Sequence, residues 1–186
     1  MRSSAVVALV LVACTPAPSP TDALAIEGAE LIRYPLEGND ERGLAMSCAQ
    51  RCPSLDGGMK SRGLTEWTLR WTWQQVPGGD GCQVVDVQKE QRIAVWLPEW
   101  QPPPDADPAL VARWPAYLDA LAAHERAHVA LVLAAGEGSE ERLRAAGCDQ
   151  AEALSRRWIQ DLEAAQRALD RQTGHGHEGG ANLRGP

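Results

Sequence analysis

Two histidines four residues apart, His124 and His128, flank a glutamate in the segment AAHERAHVAL at 122–131. On an α-helix, residues i and i+4 lie one above the other on one face, so both imidazoles can be aimed at a single ion. Histidine nitrogens bind Zn²⁺ at about 2.0–2.1 Å. Glu125 sits one step round the helix from His124. That places its carboxylate to take a proton from a water on the metal rather than to bind the metal itself. Zinc lowers the pKa of such a water to roughly 7, which makes hydrolysis of a peptide bond accessible at neutral pH. Burying these three polar groups on a core-facing stripe without a partner would be costly, which favours a metal.

A catalytic zinc site needs a third protein ligand and one open position. His175 and His177, in DRQTGHGHEGG, are the remaining histidines. His175 is favoured because it lies nearer the preceding helix, and its glycine neighbours let the backbone bring it to a site. Asp170 is a further option, as third ligand or as acceptor for a histidine N–H, with Thr173 beside it. Glu140 and Glu141, downstream of the motif, are weaker candidates.

Elements of two kinds must position these groups. From 108 to 135 the apolar residues recur at three- and four-residue steps. This predicts a helix, with Pro115 setting its first turn and Gly136 and Gly138 ending it. A last amphipathic helix carries Leu154, Trp158, Leu162, Ala165 and Leu169 on one stripe and stops at TGHGHEGG. Upstream, LTEWTLRWTWQQV alternates strictly, with Trp67, Leu69, Trp71 and Trp73 on one side. That is a half-buried strand. PGGDG predicts a turn, CQVVDVQ a returning strand with Val85 and Val87 on one face, and RIAVWLP a third strand stopped by Pro98. The expectation over 64–97 is an antiparallel sheet of three or more strands, extended by an earlier strand in AELIRYPLEG. A short helix and a loop fill the segment between them, and PEWQPPPDADP is a connecting loop. The class is α+β: an N-terminal antiparallel sheet packed with C-terminal helices, one of them zincin-like. Tyr117 lies about 10 Å of helix rise before His124 and reads as packing.

The first residues have a different character. Arg2 precedes an apolar run at 5–13, too short to span a bilayer and suited to a signal peptide. Leu11-Val12-Ala13-Cys14 matches a lipobox, so Cys14 is the expected acylation site. The expected division is a signal peptide at 1–13, a lipidated Pro-rich tether at 14–29, a zinc-dependent protease-like domain at 30–180 and a flexible tail at 181–186. Several acyl chains at Cys14 would anchor the domain stably to a membrane, in the cell envelope of a bacterium. The formal net charge of −7 offers no footprint for nucleic acid. The four other cysteines, Cys48, Cys52, Cys82 and Cys148, favour disulfides in an exported chain, with three connectivities open.

Taken in order, the Trp-rich strand, GGDGC, WLPEW, LAAHERAHV, a cysteine before a final helix and LDRQTGHG resemble one bacterial family. It is the family of predicted secreted zinc-dependent proteases, filed as a domain of unknown function, and the likeness spans about 34–180. Carried onto this sequence, the resemblance implies His124 and His128 as zinc ligands and Glu125 as catalytic base. It also singles out Asp170, Thr173, His175 and Gly176, and pairs Cys82 with Cys148. That leaves Cys48 with Cys52, whose four-residue spacing is within disulfide reach on a helix. Leu169 stands where the family usually has a tyrosine, so the oxyanion-stabilising role of that tyrosine is unfilled. The expected function is hydrolysis of a peptide or protein substrate. The competing readings are a structural-zinc envelope lipoprotein and a zinc amidase acting on cell-wall peptides.

Overall fold

The structure is a computed structural model that describes residues 24–55, 57–78 and 81–183. The expected signal peptide, the expected acylation site Cys14 and most of the expected tether lie outside the described residues. In chain order the elements are β1 (Glu30–Leu36), α1 (Glu41–Arg51), β2 (Leu64–Gly78), β3 (Gly81–Trp100), α2 (Pro108–Gly136), α3 (Ser139–Ala145) and α4 (Cys148–Thr173). A single 3₁₀ turn follows at His177–Gly179. The class is α+β, as expected. Among the described residues no helix is long and apolar enough to cross a membrane.

The sheet has three strands in the order β1-β3-β2 and is mixed, not antiparallel throughout. β2 and β3 form one long antiparallel hairpin, from Leu64↔Trp96 to Gly78↔Gly81. β1 runs parallel to β3, from Glu30↔Ala94 to Leu36↔Trp100. The chain leaves β1 through α1 and returns along β2 on the far side of β3, so β1 and β3 point the same way.

The two strands expected in 81–97 are one strand of 20 residues. The polar stretch QKEQ between them looks like a break, but it pairs fully with β2, and Arg70 bridges to Glu90 across the hairpin. Pro98 does not stop the strand either. Beyond Trp96, β3 has only β1 beside it, where a missing N–H is tolerated as on an edge.

A bulge explains a second departure. Thr72 pairs with Gln88 and Gln74 with Val85, so Asp86 and Val87 oppose Trp73 alone. Asp86 takes φ 51, the left-handed conformation a bulge can require. The phase shifts, and Val84 and Val87 are the buried pair rather than Val85 and Val87.

α2 begins where the helical period begins, at Pro108, and not at Pro115. Asp107 Oδ1 accepts from the Ala109 N–H at 2.9 Å, and Pro108 occupies the first turn. Pro115 therefore lies inside the helix, not at its first turn. Its buried face carries Leu110, Trp114, Tyr117, Leu121, Val129 and Val132 against Leu69, Ile93, Val95 and Leu97 of the sheet.

α4 closes the other side, with Leu162 buried and Trp158 edge-on to Trp71 at 5.4 Å. Both disulfides are present: Cys48–Cys52 within the last turn of α1, and Cys82–Cys148 tying the hairpin tip to the first residue of α4. Packed chain continues beyond the first strand and the last helix: Leu24 and Ile26 are buried, as are Ala181 and Leu183, whose carbonyl accepts from Arg113 Nε at 2.9 Å.

Candidate metal centre

The middle of α2 presents His124, Glu125 and His128 to a cleft of about 740 Å³, with α4 on one wall and the 59–67 segment on the other. The three side chains are nearly covered, at 9 %, 3 % and 8 % exposure. Asp170 reaches them from the last turn of α4. His124 Nε2, His128 Nε2 and Asp170 Oδ1 form a triangle with edges of 3.1, 3.1 and 3.3 Å. Zinc ligands at 2.0–2.1 Å in a tetrahedron stand about 3.3–3.4 Å apart, so this triangle is close to one face of such a shell.

The hydrogen bonds behind the ring atoms decide which nitrogens carry protons. Gln166 Nε2 donates to the His128 carbonyl at 3.1 Å, which turns Gln166 Oε1 toward His128 Nδ1 as an acceptor. Nδ1 must then hold the proton, and Nε2 faces the cleft with a free lone pair. Thr173 Oγ1 donates to the Leu169 carbonyl at 2.8 Å and faces His124 Nδ1 at 3.3 Å. His124 is thereby set in the same tautomer. Two imidazole lone pairs and a carboxylate oxygen converge on one point, where without a cation they repel each other. Burial lowers the His124 pKa, and the neighbouring His128 lowers it further, against the opposing pull of Asp170. Neutral imidazole is the form a metal needs. His124, His128 and Asp170 make a group able to hold a metal ion.

Glu125 is arranged otherwise. Thr65 Oγ1 donates to its Oε2 at 2.7 Å, from the start of β2. Burial lifts its carboxyl to about 7, while the Thr65 hydrogen bond and His128 pull the other way. Gly63 lies over the second oxygen: a Cβ there would stand 2.4 Å from Glu125 Oε1 and 2.8 Å from Leu121 Cδ1. Only glycine lets Oε1 sit this close to the chain at 63.

The remaining expected residues are distributed as follows. His175 stands at the rim, 73 % exposed, with Nδ1 3.4 Å from Asp170 Oδ1, outside the group of three that lie within 4.8 Å of one another. The third place in that group is held by Asp170. Gly174, His175 and Gly176 all take positive φ, and Gly176 backs His124, a Cβ there lying 3.1 Å from His124 Cγ. His177 is on the same rim. Glu140 and Glu141 belong to α3, beyond the end of α2, and do not line the cleft. Tyr117 packs on Trp114 at 5.3 Å as expected, but it also lines the cleft.

Sequence reading missed Thr65, Gly63 and Gln166. The signal for Gln166 was present: 166, 170 and 173 follow the i, i+4, i+7 rule on α4. Thr65 and Gly63 have no such local signal, because β2 and α2 meet only in the folded chain. Replacing Gln166 by Leu should weaken metal binding by about 10–100-fold without removing a ligand. Competition with a chromophoric chelator measures this; unchanged affinity would show that Gln166 does not orient His128.

Fold and site together define an α+β protein with a buried His-His-Asp centre between two long helices, beside a glutamate held by a strand. The chain belongs to the family described as "Bacterial protein of unknown function (DUF922)", whose model matches residues 32–176. The match takes in the whole centre, from Gly63 to His175. No curated protein and no solved structure matches the chain.

Proposed function

We propose that this protein is an exported, membrane-anchored zinc metallopeptidase. The observation that carries the reading is the convergence of His124 Nε2, His128 Nε2 and Asp170 Oδ1 within 3.1–3.3 Å, all as acceptors, next to a glutamate held by Thr65. Two imidazoles and one carboxylate are a donor set that hydrolytic zinc takes, and the near-tetrahedral spacing of the three atoms fits it. Zinc bound there would act as Lewis acid on the scissile carbonyl and bring a water to a usable pKa.

The protein's own residues divide the remaining work. His124, His128 and Asp170 hold the ion, with Gln166 and Thr173 fixing the two ring orientations. Glu125 Oε1 accepts the proton of the attacking water and returns it to the leaving amine, while Thr65 keeps Oε2 in place. Three ligands in an open cleft favour catalysis over a closed structural site.

Export is supported by the two disulfides, which persist in oxidising compartments. The lipid anchor at Cys14 rests on the lipobox alone. Purified protein should hold about one zinc per chain, as one three-ligand site requires, and His124→Ala should hold none. Stoichiometric zinc in that variant refutes the site. Zinc held with His175 as a fourth protein ligand, and no cleavage of a broad peptide library, would favour the structural-zinc lipoprotein instead.

A further inference from the structure

The same cleft has a second polar end. Arg62 lines it beside Tyr117, whose residue is buried and whose hydroxyl has no hydrogen bond of ordinary geometry. The Arg62 guanidinium stands close enough to hold down the Tyr117 pKa, which burial pushes up to about 12. Among the described residues, Arg62 makes no ion pair. Lys60, two residues earlier on the same wall, donates to the Cys52 carbonyl at 2.9 Å and likewise has no carboxylate partner there. Arg62 and Lys60 thus put two cations on one cleft wall, neither of them in an ion pair among the described residues.

The segment bearing Arg62 is also firmly held. Tyr34 donates its hydroxyl proton to the Arg62 carbonyl at 2.5 Å, and the Ser61 N–H donates to the Pro53 carbonyl at 3.1 Å. The Cys48–Cys52 disulfide lies directly behind. An arginine on a braced backbone, free of carboxylates and facing a cleft, is suited to bidentate recognition of a planar anion.

We infer that Arg62, on its braced backbone beside Tyr117 in the cleft, binds a carboxylate of the peptide substrate. The inference rests on the peptidase reading for the chemistry at the other end of the cleft, though not for the binding itself. The carboxylate is either a free C-terminus or an acidic side chain.

Calorimetric titration of the full, disulfide-intact protein tests this with two probe pairs. N-acetyl-trialanine as free acid or as amide reports on a C-terminus. N-acetyl-Ala-Glu-Ala-amide against its Gln counterpart reports on a side chain. At least one pair should favour the carboxylate by about 10–100-fold, the scale of a charge-assisted contact. Arg62→Gln should reduce that preference to about twofold with melting temperature and zinc content unchanged, and Arg62→Lys should retain part of it. Tyr117→Phe, which removes the buried hydroxyl beside the guanidinium, should weaken the acid probe and leave the amide alone. Wild-type protein that ignores the charge of both pairs overturns the inference, as does a preference that survives Arg62→Gln. Selective binding without any cleavage would leave carboxylate recognition standing and remove the peptidase reading.

Discussion

Converting Glu125 to Gln lowers peptide hydrolysis by at least ~10²-fold while zinc content stays near one per chain; this is the sharpest expected result of the proposed chemistry. The substitution preserves shape. A glutamine carbonyl can still accept the Thr65 hydroxyl, so the side chain keeps its place between β2 and α2. Its amide then takes the place beside Gly63 where a carboxylate oxygen stood, and an amide is no base. The metal group is untouched, because Glu125 is not among the three converging side chains. Peptide turnover and metal analysis on the same preparation decide the matter. Wild-type rates in the variant would remove Glu125 from catalysis, and loss of zinc would make it a ligand.

The second large effect concerns the scaffold. Cys82–Cys148 closes a loop of 66 residues between the hairpin tip and the start of α4. In the chain-entropy model its removal by Cys82→Ser with Cys148→Ser costs about 4 kcal/mol. For a domain of this size that corresponds to a melting temperature lower by about 10 °C. The loop encloses α2, so the bridge restrains in the unfolded chain the two helices that must later share the metal group. Cys48–Cys52, at a separation of 4, should contribute only about 2 kcal/mol by the same reasoning. Calorimetry of both double variants should rank them in that order. Equal or reversed losses would mean that strain or native contacts outweigh loop entropy here.

Local spacing by itself determined a good part of this protein. The four-residue step of His124 and His128 needs only a helix to put both rings on one face. The alternation of the Trp-rich strand put Leu69 and Trp71 in the core whatever lay opposite. The stripe on α4 foretold its packing, with Leu162 at its centre. What local pattern could not carry is partnership. The parallel setting of β1 depends on where the chain returns after α1, a matter of topology rather than period. The union of two expected strands into β3 depends on β2 pairing with the polar stretch between them.

The centre divides in the same way. Two of its members come from one helix turn and were legible in sequence. Asp170 stood in the sequence as an option behind His175, because a histidine is the better ligand by type alone. Only the packing of α4 on α2 decided between reach and exposure: the last helical turn brings Asp170 Oδ1 within 3.3 Å of both imidazoles, while the left-handed turn at 174–176 leaves His175 at the rim. Thr65 and Gly63 meet Glu125 across some 60 residues of chain, a contact that no periodicity records. Residue type sets what a side chain can do, and helix period sets which neighbours share its face. Which distant group completes the chemistry is decided where two elements bury their apolar faces against each other.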